Sequence, residues 1–187
     1  MELHVASTGD CGAVLGTLDP ANNHWHVKKL NIEHNYDNVK EVQRILAEHP
    51  KEEKDTIIRQ ERLLSQLAPL RALGDFRYKW SNKDMETVVV PAFGEHAVPP
   101  HYYTPPYLTA RPEVQHHTLG PNDKFLVIGS DGLWDFMTPH QVVTLVGEHL
   151  ASKKIQTPLK LPDNDITLGE ISEKLTERRL VLCLTFC

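Results

Sequence analysis

Residues Lys124–Asp135 read KFLVIGSDGLWD, and this stretch decides the fold. Phe125, Leu126, Val127 and Ile128 follow one another without a polar interruption. An unbroken apolar run between a charged residue and a turn sequence is the mark of a central strand buried on both faces. Lys124–Gly129 is therefore expected as the best-defined strand of the chain, and Ser130-Asp131-Gly132 follows it directly. A carboxylate at a strand terminus is carried on stiff backbone, and the glycine after it permits a sharp turn close to a bound ion. Mg²⁺ and Mn²⁺ take oxygen ligands in octahedral geometry and keep several waters, so Asp131 can be one corner of such a site but never all of it. An Asp-Gly turn after a strand also explains these two residues with no metal. The residues by themselves leave both readings open.

Working outward, Thr138-Pro139 has the order of a helix cap and a first-turn proline, and Val142, Val143, Val146 and Leu150 give the helix that follows a buried face. Thr167-x-x-Glu170 forms a capping box for another helix running to about Arg179. Toward the amino end, Leu3 and Val5 alternate with polar neighbours over Glu2–Ala6, the period of a half-buried strand. Gly9-Asp10 then supplies a turn and Ala13–Leu15 a second apolar run, which predicts a β-hairpin. A second turn at Asp19-Pro20 and Asn22-Asn23 leads into a strand over Trp25–Leu30. Tyr36, Val39, Val42 and Leu46 fall at three- and four-residue steps and predict a helix ending near His49-Pro50. Thr56–Leu64 fits strand or helix equally. Six of the thirteen prolines gather in Pro91–Pro112 around Tyr102, Tyr103 and Tyr107, which predicts an extended loop because proline lacks the amide donor of regular structure. The expected class is α+β, with helices packed on a mainly antiparallel sheet.

Composition narrows the function. Of the 187 residues, 40% are hydrophobic and 24% charged, enough for one core. The formal net charge of −5, with basic residues scattered, argues against a sequence-blind grip on nucleic acid. Three cysteines, Cys11, Cys183 and Cys187, describe neither a disulfide scaffold nor a zinc site and suit a reducing compartment. His24-x-His26 and His116-His117 would bind a metal only if distant ligands joined them. No stretch approaches the ~20 apolar residues that a membrane span needs, and no targeting segment is visible.

Two more Gly-Asp pairs, Gly9-Asp10 and Gly74-Asp75, lie beside β-like segments. Three turn aspartates at one sheet edge would suit an oxygen-ligand metal site. Read in order, Thr8-Gly9-Asp10-Cys11, Leu30–Asn35 (LNIEHN), Arg71-Ala72-Leu73-Gly74-Asp75, Pro112-Glu113-Val114 and Asp123–Asp135 resemble successive motifs of the metal-dependent, 2C-type (PPM) protein serine/threonine phosphatases. The resemblance covers residue 2 to about 150. It implies a β-sandwich flanked by helices, with a two-metal Mg²⁺ or Mn²⁺ centre that activates water for in-line attack on phosphorus. By resemblance, Asp131 is the catalytic metal ligand of the strand-end motif and Asp10 helps to hold a weaker metal. Asp135 orients a metal-bound water, while Arg71, Gly74 and Asp75 form a structural motif in which Asp75 fixes the loop through hydrogen bonds. No residue is assigned to substrate.

Glu48-His49-Pro50, Arg62-Leu63-Leu64, Tyr78-Lys79-Trp80-Ser81 and Pro99–Ala110 (PPHYYTPPYLTA) further resemble the pyruvate dehydrogenase phosphatase subgroup. That implies the phosphorylated E1 subunit of the pyruvate dehydrogenase complex as substrate and the mitochondrial matrix as location, and it allows a regulatory subunit. Several family features are not seen: the first metal aspartates, the Asp-Gly-His-Gly-Gly motif and a basic phosphate-binding residue. Gly12 stands where relatives carry arginine, and Glu33 where they carry aspartate. Residues 1–150 thus read as part of a phosphatase domain whose amino-terminal part is missing, and 151–187 as an altered or truncated segment. Asp163-Asn164-Asp165 fits a helix cap better than the family's last metal motif. A fragment with so few ligands is expected to be inactive alone. The competing expectation is a non-catalytic pseudophosphatase that docks proteins on its Pro/Tyr-rich loop.

Overall fold

The computed structural model describes residues 1–152 and the strand at Leu180–Leu184. The strands are β1 (Glu2–Ser7), β2 (Gly12–Asp19), β3 (His24–Lys29), β4 (Ile58–Arg59), β5 (Arg62–Leu63), β6 (Glu113–Thr118), β7 (Asp123–Gly129) and β8 (Leu180–Leu184). The helices are α1 (Val39–Glu48), α2 (Lys54–Ile57), α3 (Asn82–Asp84), α4 (Val90–Phe93), α5 (Asp131–Trp134) and α6 (Pro139–Ser152). Asp163-Asn164-Asp165 and the Thr167–Glu170 capping box lie outside the described residues. Two compact units share the chain. The first comprises Met1–Val5, Cys11–Asn31 and Val114–Cys187, the second Ala6–Asp10 and Ile32–Glu113.

The first unit is built on β7. Its sheet runs β3-β2-β7-β8, with β2 antiparallel to both β3 and β7 and β8 parallel to β7. As the apolar run predicts, β7 is buried on both faces: Phe125 and Val127 join Val14, Leu133, Val142 and Val143 on one side, and Leu126 joins Ala13, Leu15 and Leu30 on the other. The helix after Thr138 forms where expected. Thr138 Oγ1 accepts the Gln141 amide at 3.3 Å, and Gln141 Oε1 accepts the Thr138 amide at 2.9 Å, a reciprocal cap. Val142 and Val143 are buried, but Leu150 is exposed and is not on the covered face.

The amino-terminal hairpin does not form. β1 pairs with β6 in a separate two-stranded sheet, because both edges of β2 are already taken by β3 and β7. The alternation in β1 keeps its meaning in another layer: Leu3 and Val5 pack on the face that carries Leu15 and Leu126. The architecture is α+β, with mainly antiparallel sheets and flanking helices.

The second unit has its own core of Ile45, Ile57, Leu63, Leu64, Leu70, Met85, Tyr102, Tyr107 and Leu108 among others. Helix α1 starts at Asn38, whose Oδ1 accepts the Glu41 amide at 3.3 Å. It buries Glu41 and Ile45, while Tyr36 and Val39 are exposed, so the covered face is rotated from the expected one. The undecided stretch 56–64 holds the end of α2 and then the β4–β5 hairpin, turned by Gln60 and Glu61 at φ 51° and 63°. Two consecutive positive φ angles suit such a hairpin, yet neither residue announces one as Asn-Gly would. Pro91 lies inside the helical stretch Asn82–Phe93, whose Met85–Val89 turn is a π-helix, so the proline-rich region opens as a helix rather than a loop.

Candidate metal centre

Asp131 stands two residues beyond β7, at the first position of the short helix α5. Its Oδ1 accepts the Gly132 amide at 2.8 Å, and the side chain is exposed. The helix is pinned beneath it: Leu133 is buried in the core, and Trp134 Nε1 donates to Gly129 O at 2.8 Å. Asp135 ends this helix, exposed, with its amide donating to Asp131 O at 2.8 Å. The strand end thus presents a solvent-facing carboxylate from a backbone fixed on both sides.

In the second unit the Gly9-Asp10 turn has Gly9 at φ +102°, which favours glycine, and a Cβ there would stand 3.3 Å from Arg71 O. His34, fully buried, crosses behind the turn. Its backbone amide donates to Gly9 O at 2.8 Å, and Nδ1 lies 3.3 Å from the Gly9 amide. Asp10 itself is half-buried.

Arg71 holds a buried carboxylate rather than facing solvent. Its Nε and Nη2 donate to Glu41 Oε1 and Oε2, each at 2.7 Å, and Nη1 donates to Arg111 O at 2.9 Å. Arg44 donates to the same Glu41 Oε1 from Nε and Nη2 at 3.1 and 2.6 Å. Burial alone would raise the Glu41 carboxyl, but the hydrogen bonds from Arg71 and Arg44 outweigh it and hold the carboxyl at about 2. Nothing in the spacing announces Glu41 as a partner of Arg71; only the observed covered face of α1, on which Glu41 lies four residues before Ile45, shows that this carboxylate requires a partner.

Gly74 and Asp75 both take positive φ, +77° and +46°. The Asp75 side chain is exposed and makes no capping hydrogen bond. Lys79 closes this loop instead, its Nζ donating to Ala72 O at 2.7 Å and to Gly74 O.

Of the expected site residues, Asp131 opens helix α5 and Asp135 caps its end, both in the first unit. The Gly9-Asp10 turn and Arg71 meet in the second. The donors fit a hard cation in kind, being carboxylate oxygens on fixed backbone, one of them exposed. Among the described residues no three His, Cys, Asp or Glu side chains converge as a complete ligand set.

The chain belongs to the protein phosphatase 2C family, whose model matches residues 1–180. It is 42% identical over 194 aligned positions to the mitochondrial pyruvate dehydrogenase (acetyl-transferring) phosphatase 1 of Bos taurus, covering 100% of this chain and 36% of the relative. Against mitochondrial pyruvate dehydrogenase (acetyl-transferring) phosphatase 2 of Homo sapiens it is 48% identical over 157 positions, 81% of this chain and 30% of that protein. The chain thus spans about a third of the length of these curated relatives. Among solved structures, a sex-determining protein of C. elegans superposes with a TM-score of 0.50 at 19% identity, over 82% of this chain and 29% of that one, a likeness of fold.

Proposed function

We propose that this chain is part of a metal-dependent protein serine/threonine phosphatase that removes phosphate from the E1 subunit of the pyruvate dehydrogenase complex in mitochondria. The observation that carries the reading is Asp131, an exposed carboxylate fixed at the end of the central strand, in a chain 42% identical along its length to a mitochondrial pyruvate dehydrogenase phosphatase. Mg²⁺ or Mn²⁺, when bound, supplies charge neutralisation at the phosphoryl oxygens and a hydrolytic water reactive at neutral pH. Asp131 would hold one cation from the strand end, and Asp10 would hold a weaker one from its turn. Asp135, one helical turn beyond Asp131, orients water beside that carboxylate by hydrogen bonding. Arg71 is occupied by Glu41 and keeps the loops in place rather than gripping substrate.

Docking through the Pro/Tyr-rich segment gains no support. Tyr102 and Tyr107 are buried in the second unit's core, and only Tyr103 of the three is exposed. The Tyr107 hydroxyl donates to Glu53 Oε2 and accepts the amides of Tyr103 and Thr104 at 2.9 Å each.

The test uses the longest natural polypeptide that contains this sequence. Purified, it is expected to release phosphate from phosphorylated E1 with Mg²⁺ or Mn²⁺ present and to stop when the metal is chelated. Release that is absent under all metal conditions, or that chelation leaves unchanged, overturns the reading.

A further inference from the structure

The turn that carries Asp10 has no regular structure of its own, so something must hold its backbone. We propose that His34 is a positioning residue for the Gly9-Asp10 turn and that Glu113 orients it from behind. The inference rests on the reading of Asp10 as a metal ligand.

A fully buried imidazole has two ring nitrogens to satisfy. Gly9 O already accepts the His34 backbone amide at 2.8 Å. The Gly9 amide can only donate, and Nδ1 at 3.3 Å is the acceptor placed for it. Nδ1 also lies 3.1 Å from Gly9 O, but donating there would leave the Gly9 amide unmet. This hydrogen-bond pattern puts the ring proton on Nε2. Nε2 is buried without a formed hydrogen bond, and the carboxylate facing it is Glu113 Oε2, at 3.4 Å. A carboxylate behind an imidazole that in turn fixes a third group is how outer-shell residues set ligand geometry.

The same residue ties three separate motifs. Its side chain holds Gly9, its carbonyl accepts the Leu70 amide at 2.6 Å next to Arg71, and its outer nitrogen faces the glutamate of Pro112-Glu113-Val114. A histidine that only filled the core would not need its nitrogens aimed at a turn amide and a carboxylate.

The experiment uses the longest natural polypeptide containing this sequence, with Mn²⁺ binding followed by electron paramagnetic resonance and the Gly9 amide by NMR on ¹⁵N-glycine label. Asp10→Asn is expected to remove the weakest Mn²⁺ site. His34→Ala is expected to weaken that same site about tenfold or more, the range of outer-shell losses, and to shift the Gly9 amide. His34→Asn, whose side-chain oxygen can take the place of Nδ1, should restore most of both. Glu113→Ala should move both in the same direction by less, and its half-exposed side chain makes it the deciding variant if His34→Ala does not fold. A Gly9 amide and a weakest Mn²⁺ site that both stay at wild-type values in His34→Ala, or in Glu113→Ala if His34→Ala is unfolded, overturn the proposal. If Asp10→Asn leaves every Mn²⁺ site unchanged, the ligand reading of Asp10 fails instead, and the Gly9 amide alone decides whether His34 holds the turn.

Discussion

Asp131 and Glu41 are both carboxylates on which their units turn, and the protein holds them in opposite ways. Asp131 is exposed, makes one short-range hydrogen bond to the next amide, and owes its position to β7 and the pinned helix after it. Glu41 is buried and takes donors from two arginines, so both its oxygens are spent. The first is fixed through backbone and keeps its charge available to a ligand. The second is fixed through side chains and has none left to offer. What separates the two carboxylates is whether their oxygens are already taken by donors within the fold.

The sharpest way to break this contrast is to neutralise each acid in turn. In the longest natural polypeptide containing this sequence, and on the proposed reading, Asp131→Asn is expected to lower metal-dependent phosphate release by at least about a hundredfold, beyond the usual loss for outer-shell partners. Its stability should stay within about 0.5 kcal/mol, because an exposed side chain is altered and no core contact is lost. Phosphate release and urea unfolding on the same preparations check both halves. An Asp131→Asn protein as active as wild type would remove Asp131 from the centre.

Glu41→Gln should do the reverse. It leaves Arg71 and Arg44 facing a neutral amide in a buried setting, at a cost of about 3 kcal/mol. The acid limb of the stability curve carries the same information. The Glu41 carboxyl is held at about 2, below its unfolded range, so its contribution is full above about pH 4.3 and is lost as the pH falls toward 2. Urea midpoints down this range should fall less steeply for Glu41→Gln than for wild type.

This contrast also decides what could be read from the chain alone. Backbone-built features write a period or a cap into sequence, and they were legible: the apolar run of β7, Thr138-Pro139 opening α6, and Asp131 at the strand end. The alternation of Leu3 and Val5 gave the strand but not its partner, since the choice of β6 over β2 depends on which edges other strands occupy. Features built from side chains far apart were not legible. Arg71 and Glu41 are thirty residues apart and have no periodic relation. Tyr107 and Tyr103 look alike in an aperiodic segment, although one is core and the other surface. The proposal of Asp10 as a ligand rests on the order of five family motifs, because a Gly-Asp turn by itself carries no chemistry.

That pair of tyrosines gives a smaller test within one segment. Tyr107→Phe removes the donor to Glu53 and the acceptor for two amides, leaving buried polar groups unmet, and should cost about 1–3 kcal/mol. Tyr103→Phe, at 58% exposure, should stay within about 0.5 kcal/mol. Equal effects in urea unfolding would mean that the segment does not belong to the core.

The smallest effect lies at His49, beside the same glutamate. Its ring stacks on Tyr107 at 4.4 Å between centroids. Nδ1 lies 2.9 Å from Thr104 Oγ1, whose own proton goes to Glu53 Oε1 at 2.8 Å, so the imidazole must be the donor to Thr104. Nε2 is then a buried lone pair with no partner among the described residues, and protonation would create a buried N–H with no acceptor among them. Burial lowers the His49 value, Glu53 and Glu48 pull against it, and Arg44 adds to it. The sign follows: the unfolded chain takes up the proton first as the pH falls. The neutral ring's contribution is therefore full above about pH 6.5 and is lost as the pH drops from there through the folded value. In His49→Gln, which cannot titrate, the fall in unfolding free energy between about pH 7.5 and pH 5 should be shallower than in wild type by that one group's contribution. Two parallel pH curves would mean that the ring takes its proton as readily folded as unfolded, and the unpaired Nε2 would then carry no cost.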